Sequence, residues 1–123
     1  MSHTNELTPE NRELLKACFN ALEDTKADGV LALDVSKQST ITNYLILASA
    51  NSEPHMRALR RDLDKTLKER KVKIIGTEEG KETGWSVVDA FDVMIHLFTQ
   101  DMRANYDLER LWKDAKRIEI EQL

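Results

Sequence analysis

The chain contains little cysteine and no long apolar run, and each shortage excludes a class of protein. Only one of the 123 residues is a cysteine, so no disulfide can form within the chain. This usage is typical of proteins in a reducing compartment. No apolar run approaches the roughly 20 residues that span a bilayer, and residues 1–6 are polar, without the apolar core of a signal peptide. We therefore expect a cytoplasmic protein with no membrane partner.

Motifs for nucleotide and metal chemistry are missing as well. The sequence has neither a P-loop nor a dinucleotide fingerprint. Residues 48–52, which precede the second predicted helix, lack the glycine of a phosphate-binding loop. His3, His55 and His96 are scattered and do not stand at ligand spacing with Cys18. We predict no catalytic residue, no metal site and no cofactor.

Length and composition indicate one globular unit. A chain of 123 residues and 14.1 kDa, with 41% hydrophobic and 33% charged residues, suits a single domain with its own core. We expect a flexible N-terminus over residues 1–7, one α/β domain over 8–113 and a loosely ordered tail over 114–123. The net charge of −4 argues against a protein built mainly to grip nucleic acid.

Two helices are predicted from their start signals and apolar stripes. Pro9 follows Thr8 and precedes Glu10, and Pro54 comes two residues after Ser52 and directly after Glu53, which are the hydroxyl caps and acids of helix N-termini. Apolar residues then recur at helical spacing. In the first helix they are Leu14, Leu15, Cys18, Phe19 and Leu22, and in the second Met56, Leu59, Leu63 and Leu67. Cys18 is therefore interpreted as a core residue.

Dense apolar runs predict the strands. Two lie at residues 30–35 and 44–48, and a third short one at 72–75, ended by Gly76. The charged residues 77–84 are expected to form an exposed loop. With the two strands described next, the predicted order is α-β-β-α-β-β-β-α. The fold class is α/β, a single mixed sheet of about five strands with helices packed on it.

The stretch from Trp85 to Trp112 is predicted to form a β-hairpin followed by a short helix. Two apolar runs meet at an acidic corner, residues 89–92, with about two residues between them, which predicts a tight β-hairpin. The second run, 93–98, is apolar on both faces except at His96, so we expect a covered strand with a hydrogen-bonded core histidine. A polar connection over 100–106 then leads to a short helix carrying Leu108, Leu111 and Trp112, with Trp112 packed inside.

The charges of the two halves differ. Residues 53–71 contain seven Lys/Arg and four Asp/Glu, a net +3, whereas residues 78–109 contain two and eight, a net −6. Acids around aromatic residues suit docking on a basic protein surface. Trp85 and Phe91 are the candidate apolar anchors, Asp89 and Asp92 the rim or corner acids, and Met102, Arg103 and Tyr106 extend the patch. The predicted partner-binding residues are therefore Trp85, Asp89, Phe91, Asp92, Met102, Arg103 and Tyr106.

Several of these residues also carry a family resemblance. The residues concerned are Trp85, Asp89, Asp92, Val93, His96, Phe98, Arg103, Tyr106, Leu108, Glu109, Leu111 and Trp112, with 28–35, 41–48 and 52–55 upstream. In order and spacing, over residues 11–113, they resemble the ribosomal silencing factors, the Iojap-related family. The resemblance implies a nucleotidyltransferase-like α/β fold without catalysis. It also implies docking on the large ribosomal subunit through large-subunit ribosomal protein fourteen, a steric block to small-subunit joining, repressed translation and a homodimer.

Three departures and two alternatives remain. Asn43 stands where the family often has Asp, Ala50 where a glycine is common, and Phe91 where the hairpin corner usually has glycine. One alternative is a cryptic nucleotidyltransferase, although Asp89 and Asp92 are not one residue apart on a strand as a magnesium-binding pair would be. The other is an RNA-binding module that uses Arg57, Arg60, Arg61 and Lys65 of the second helix. No sequence-specific nucleic-acid partner is predicted.

Overall fold

The chain folds into one sheet that carries helices on both faces. The structure, a computed structural model, describes residues 8–37, 42–72, 74, 76–80, 85–90, 92–106, 110 and 112–118, with only the backbone for 76–80, 85 and 104–106. The helices are α1 (Pro9–Asp24), α2 (Glu53–Glu69) and α3 (Gln100–Tyr106). The strands are β1 (Asp28–Asp34), β2 (Tyr44–Ala50), β3 (Gly76–Gly80), β4 (Trp85–Asp89), β5 (Val93–Thr99) and β6 (Lys116–Ile118).

The sheet is mixed, with the order β3-β4-β5-β2-β1-β6. Its central strands, β2 and β5, run parallel, from the pair Tyr44↔Val93 to the pair Ala50↔Thr99. The other neighbours pair antiparallel, including the predicted β4–β5 hairpin. The predicted α/β class with a single mixed sheet is confirmed, and the sheet has six strands rather than about five.

Both predicted helix starts are confirmed by their caps. The Thr8 hydroxyl accepts a hydrogen bond from the Asn11 N–H at 3.1 Å, one turn into α1. In α2 the Ser52 hydroxyl accepts the His55 N–H at 3.2 Å. Each cap satisfies one of the amides that a helix N-terminus leaves without an intrahelical partner.

One face of the sheet is sealed by α1 and α2. Residues of these helices that are 0% exposed are Leu15, Cys18, Leu22, Leu59, Leu63 and Leu67. They pack in one core cluster with Ile46 of β2 and Ile95 of β5. Burial raises the pKa of the Cys18 thiol to about 12, so this group stays protonated at neutral pH. Cys18 is a core residue, as predicted.

A smaller apolar cluster covers part of the opposite face. It contains Leu33, Val35, Leu45, Leu47 and Phe98, against which Met102 of α3, Trp112 and Ala115 pack. Since β2 is covered from both sides, all seven of its residues are buried. The predicted packing role of Trp112 is confirmed.

The third strand differs from the prediction. The apolar residues Val72 and Ile74 pack against the first cluster without being part of a strand, whereas Gly76–Gly80 forms β3. This strand lies at the edge of the sheet and pairs only with β4. An edge strand is stabilised by backbone pairing and needs no apolar run. The predicted strand at 72–75 and the predicted loop at 77–84 are therefore wrong where the structure describes them.

The C-terminal region also differs. Residues 100–106, predicted as a polar connection, form α3, in which the Met102 N–H is 3.4 Å from the Thr99 hydroxyl. This helix was not predicted because its few apolar residues do not recur at helical spacing. Leu108 and Leu111, predicted on a helix, lie outside the described residues. Within the segment predicted as a loosely ordered tail, Lys116–Ile118 forms β6 and pairs with β1, and Ile118 belongs to the main core cluster.

Replacing Ile118 tests whether β6 contributes to the fold. Ile118 is 9% exposed and belongs to the main core cluster. We expect Ile118→Ala to lower the free energy of unfolding by about 2 kcal/mol, since it deletes buried methyl and methylene groups. Urea denaturation measures this, with Lys116→Ala on the same strand as the exposed control. A loss no larger than that of the control would exclude β6 from the folded core.

Candidate docking surface

The hairpin places a row of cross-strand pairs on the face opposite α1 and α2. Trp85 pairs with Phe98, Val87 with His96 and Asp89 with Met94. Paired residues share a face, and alternate residues of a strand point to the same side. Ser86 and Val88, the intervening residues of β4, are buried on the helix-covered side. The row is therefore one continuous strip along β4 and β5.

This strip is only partly covered. Val87, Asp89 and Met94 are each partly exposed, whereas Leu33, Leu45 and Leu47 on the same sheet face are buried. These three leucines belong to the smaller apolar cluster, against which Met102 of α3, Trp112 and Ala115 pack. We call Val87, Asp89, Met94 and the position of Trp85 the β4–β5 surface; His96 lies on the same sheet face but is buried. Met102, half-buried on α3, stands at its border.

Arg103 fixes α3 in place. Its Nη1 donates to the Gly29 carbonyl at 2.7 Å and to the Ser49 hydroxyl at 3.0 Å. Gly29 lies where the β1–β2 register shifts, and it has a φ of 56°. A Cβ at Gly29 would stand 2.8 Å from Nη1, so the missing side chain makes room for the guanidinium. Arg103, predicted as a partner contact, thus has an internal role, and its contact with a partner stays a prediction.

Gln100 adds a second tie between α3 and the sheet. Its Nε2 lies 3.1 Å from the Asp28 carboxylate and 3.3 Å from the Asn51 side-chain oxygen. Together with Arg103, this residue holds the helix over the β1 side. On the β4–β5 half of this face, the described side chains of Val87, Asp89 and Met94 remain partly exposed.

Asp92 forms the corner of the hairpin. Its carboxylate accepts a hydrogen bond from the Asn43 amide at 3.2 Å, and its backbone carbonyl accepts the Tyr44 N–H at 2.9 Å. The hairpin turn itself contains the Ala90 N–H bonded to the Val93 carbonyl at 2.9 Å. An amide at position 43 donates to this carboxylate, which an ionised aspartate there would be unable to do. The asparagine at position 43, where the family often has aspartate, is therefore explained by its hydrogen bond to Asp92.

His96 is a buried, neutral histidine. It is 9% exposed, and its ring stacks on that of Phe98 with centroids 6.0 Å apart and an interplanar angle of 10°. Burial lowers the pKa of His96 from 6.5 to about 4, so the ring is uncharged at neutral pH. The predicted burial of this histidine in the core is confirmed.

The N-terminus of α2 is closed by its own side chains. The Nδ1 of His55 accepts the Asn51 N–H at 2.9 Å, and its Nε2 lies 2.6 Å from the Thr25 carbonyl. These two contacts require neutral imidazole with its proton on Nε2. The ring and the Ser52 cap thus occupy amides that a phosphate-binding loop would present to its ligand.

The structure places the predicted contact residues unevenly. Asp89 lies on the β4–β5 surface, Asp92 at the corner beside it, and Met102 and Arg103 on α3. Phe91 lies outside the described residues, as do the side chains of Trp85 and Tyr106. Sequence reasoning missed Val87 and Met94. The spacing from Trp85 to Asp89 implied Val87, since it is the intervening residue on the same strand face.

The described residues include neither a metal-binding cluster nor a membrane-spanning helix. Within them no three His, Cys, Asp or Glu side chains are grouped so as to hold a metal ion. None of the described helices combines the length and the apolar character needed to cross a membrane.

The fold and this surface define a small α/β domain with a mixed sheet, one face of which is partly open. A family model, "Ribosomal silencing factor during starvation", matches residues 8–123. The ribosomal silencing factor of Halalkalibacterium halodurans is 37% identical over 90% of this chain and 95% of its own length. The chain therefore belongs to the ribosomal silencing factor family.

Two further relatives extend the comparison. A crystal structure of a Chromobacterium violaceum protein superposes with a TM-score of 0.79 and 35% identity, covering 83% of this chain and 85% of that one. A mouse protein named "Mitochondrial assembly of ribosomal large subunit protein 1" is 32% identical over 74% of this chain but only 41% of its own length. The fold and the family prediction are both confirmed.

A double-mutant cycle tests the Arg103 contact. We expect Gly29→Ala to cost about 1–2 kcal/mol from the left-handed backbone alone, plus the displacement of the guanidinium. In an Arg103→Ala background the second cost disappears, so the two changes should couple by at least about 0.5 kcal/mol. Chemical denaturation of the four proteins measures this coupling. Equal costs of Gly29→Ala in both backgrounds would place Arg103 away from β1.

The low pKa of His96 predicts a pH dependence of stability. Between pH 6.5 and about 4 the unfolded chain binds a proton at His96 that the folded chain does not. The free energy of unfolding should therefore fall as the pH falls through this window, by about 3 kcal/mol at its lower end. His96→Gln should remove this part of the dependence. Denaturation from pH 7 to pH 4 checks it, and identical profiles for the two proteins would refute it.

Proposed function

We propose that this protein docks on the large ribosomal subunit and represses translation by blocking the joining of the small subunit. Its contact on that subunit is large-subunit ribosomal protein fourteen. The mechanism is steric, because a firmly docked domain occupies the surface that the small subunit must approach. The observation that carries the proposal is the partly open β4–β5 surface in a member of the silencing factor family.

The chemistry of this surface supports a protein partner. Val87 and Met94 offer partly exposed apolar side chains, and Trp85 stands at the end of the same strip. Asp89 lies on the strip and Asp92 beside it, within a region of net charge −6. An apolar centre with an acidic rim complements a basic protein surface. The same acids repel bare phosphate.

The names of the relatives support the ribosomal assignment. The bacterial relative is a ribosomal silencing factor, and the name of the mouse relative refers to assembly of the large ribosomal subunit. We extend both to this chain as part of the proposal. The action is non-catalytic, takes place in the cytoplasm and requires no cofactor. The resemblance further implies a homodimer, which the sedimentation velocity of the isolated protein would test.

Trp85→Ala is the decisive variant for docking. Loss of one buried aromatic anchor commonly costs 2 kcal/mol or more, so we expect binding to large subunits to weaken at least about tenfold. Co-sedimentation with purified large subunits measures this. Val87→Asp, on the same strip, should act in the same direction because it places a charge at the apolar centre.

Phe19→Ala is the matched control. Phe19 is a partly exposed aromatic residue on α1, at the opposite face of the sheet, so its loss should leave binding unchanged. Subunit joining is followed in the same samples by sucrose-gradient sedimentation. If the Trp85→Ala and Val87→Asp proteins still inhibited subunit joining as fully as the native protein, the β4–β5 surface would not be part of the mechanism.

A further inference from the structure

The exposed side of α2 is entirely cationic over three turns. Between residues 57 and 68, the exposed residues are Arg57, Arg61, Lys65 and Lys68. We call these four residues the α2 stripe. The apolar residues of the same helix, Met56, Leu59, Leu63 and Leu67, are buried in the core. The helix therefore presents charge without apolar surface.

The exposed acids of this helix, Glu53 and Glu69, flank the stripe, four residues before Arg57 and four after Lys65, and none stands between Arg57 and Lys68. Asp62 and Asp64 are only partly exposed, and the Asp62 carboxylate accepts a hydrogen bond from the Thr25 hydroxyl, toward α1. Among the described residues, no hydrogen bond or ion pair engages the charged groups of the α2 stripe. All four side chains are exposed to solvent.

Their spacing makes a straight row. Steps of four, four and three residues keep the side chains within an arc of about 80°, with a rise of about 6 Å between neighbours four apart. The row is roughly 16 Å long. Such a row matches a ligand that is itself a regular line of negative charges, which is what a nucleic-acid backbone offers.

From this arrangement we infer that the α2 stripe binds the phosphate backbone of RNA without reading its sequence. Insertion into a lipid surface would need apolar side chains beside the cations, and those of α2 are buried. A protein partner would need apolar or aromatic anchors at the centre of the contact, and the stripe has none. The family is ribosomal, and RNA forms much of a ribosome.

The stripe is independent of the docking surface. It lies on the opposite side of the sheet from the β4–β5 surface, so a partner on one does not cover the other. The overall charge of −4 combines a segment of +3 around α2 with one of −6 around the hairpin. Net charge therefore does not exclude a local phosphate-binding row.

Fluorescence anisotropy with a labelled RNA duplex of 16 base pairs tests the inference. We expect binding at 50 mM salt that weakens with a slope of about −3 in log–log form, roughly 60-fold by 200 mM. The triple variant Arg57→Glu, Arg61→Glu, Lys65→Glu should bind at least tenfold more weakly. The matched control carries the same charge change at exposed residues elsewhere, Arg12→Glu, Lys16→Glu and Lys113→Glu, and should stay within threefold of the native chain.

Three results would overturn the inference. The first is no binding of the native chain to the duplex at 50 mM salt, and the second is an equal loss in both triple variants. The third is α2-dependent binding to phosphatidylglycerol vesicles with none to RNA. Because no ribosomal protein is present, the outcome is separate from docking. Trp85→Ala should bind the duplex like the native chain even where it fails on large subunits.

Discussion

The parallel pairing of β2 with β5 positions every other element of this fold. Seven residue pairs join the two strands, and every residue of β2 is buried. Parallel strands need a long crossover connection, and here it contains α2, β3 and β4. Ser52 caps α2 just after β2 ends, while α3 begins directly after β5. The cationic helix and the open sheet face are both fixed relative to this buried pair.

The two faces of the sheet are covered by helices to different extents. On one face α1 and α2 exclude water from the core, with Leu59, Leu63 and Leu67 fully buried. On the other, a helix of seven residues is held to one side by Arg103 and Gln100. A longer helix packed centrally would have buried Val87 and Met94. Their partial exposure gives up a modest part of the burial energy, which is the cost that the proposed docking role would have to offset.

The sequence allowed the prediction of those elements whose burial requires apolar residues at a regular spacing. The buried apolar residues of α2 and the apolar runs of β2 and β5 were placed correctly because each is covered by other elements. The prediction failed at β3 and β6, which lie at the two edges of the sheet and depend on backbone pairing. The β4–β5 surface was predicted only in part, because some of its residues are recognised only from the strand register. Asp89 stood out by its charge, whereas Val87 acquires meaning only through the register that pairs it with His96. The Arg103 contact required the register shift at Gly29, which residue types alone do not reveal.

Groups that elsewhere perform chemistry are held here in unreactive states. The thiol of Cys18 has a pKa of about 12 and is sealed beneath α1, so the nucleophilic thiolate does not form. The ring of His96, with a pKa of about 4, remains neutral and stacked on Phe98. At the start of α2, Ser52 and His55 occupy the amides around which a transferase would bind phosphate. Each group stabilises the fold through its uncharged form or its internal hydrogen bond. Recruiting any of them for catalysis would cost stability, because each would have to leave its buried or hydrogen-bonded state.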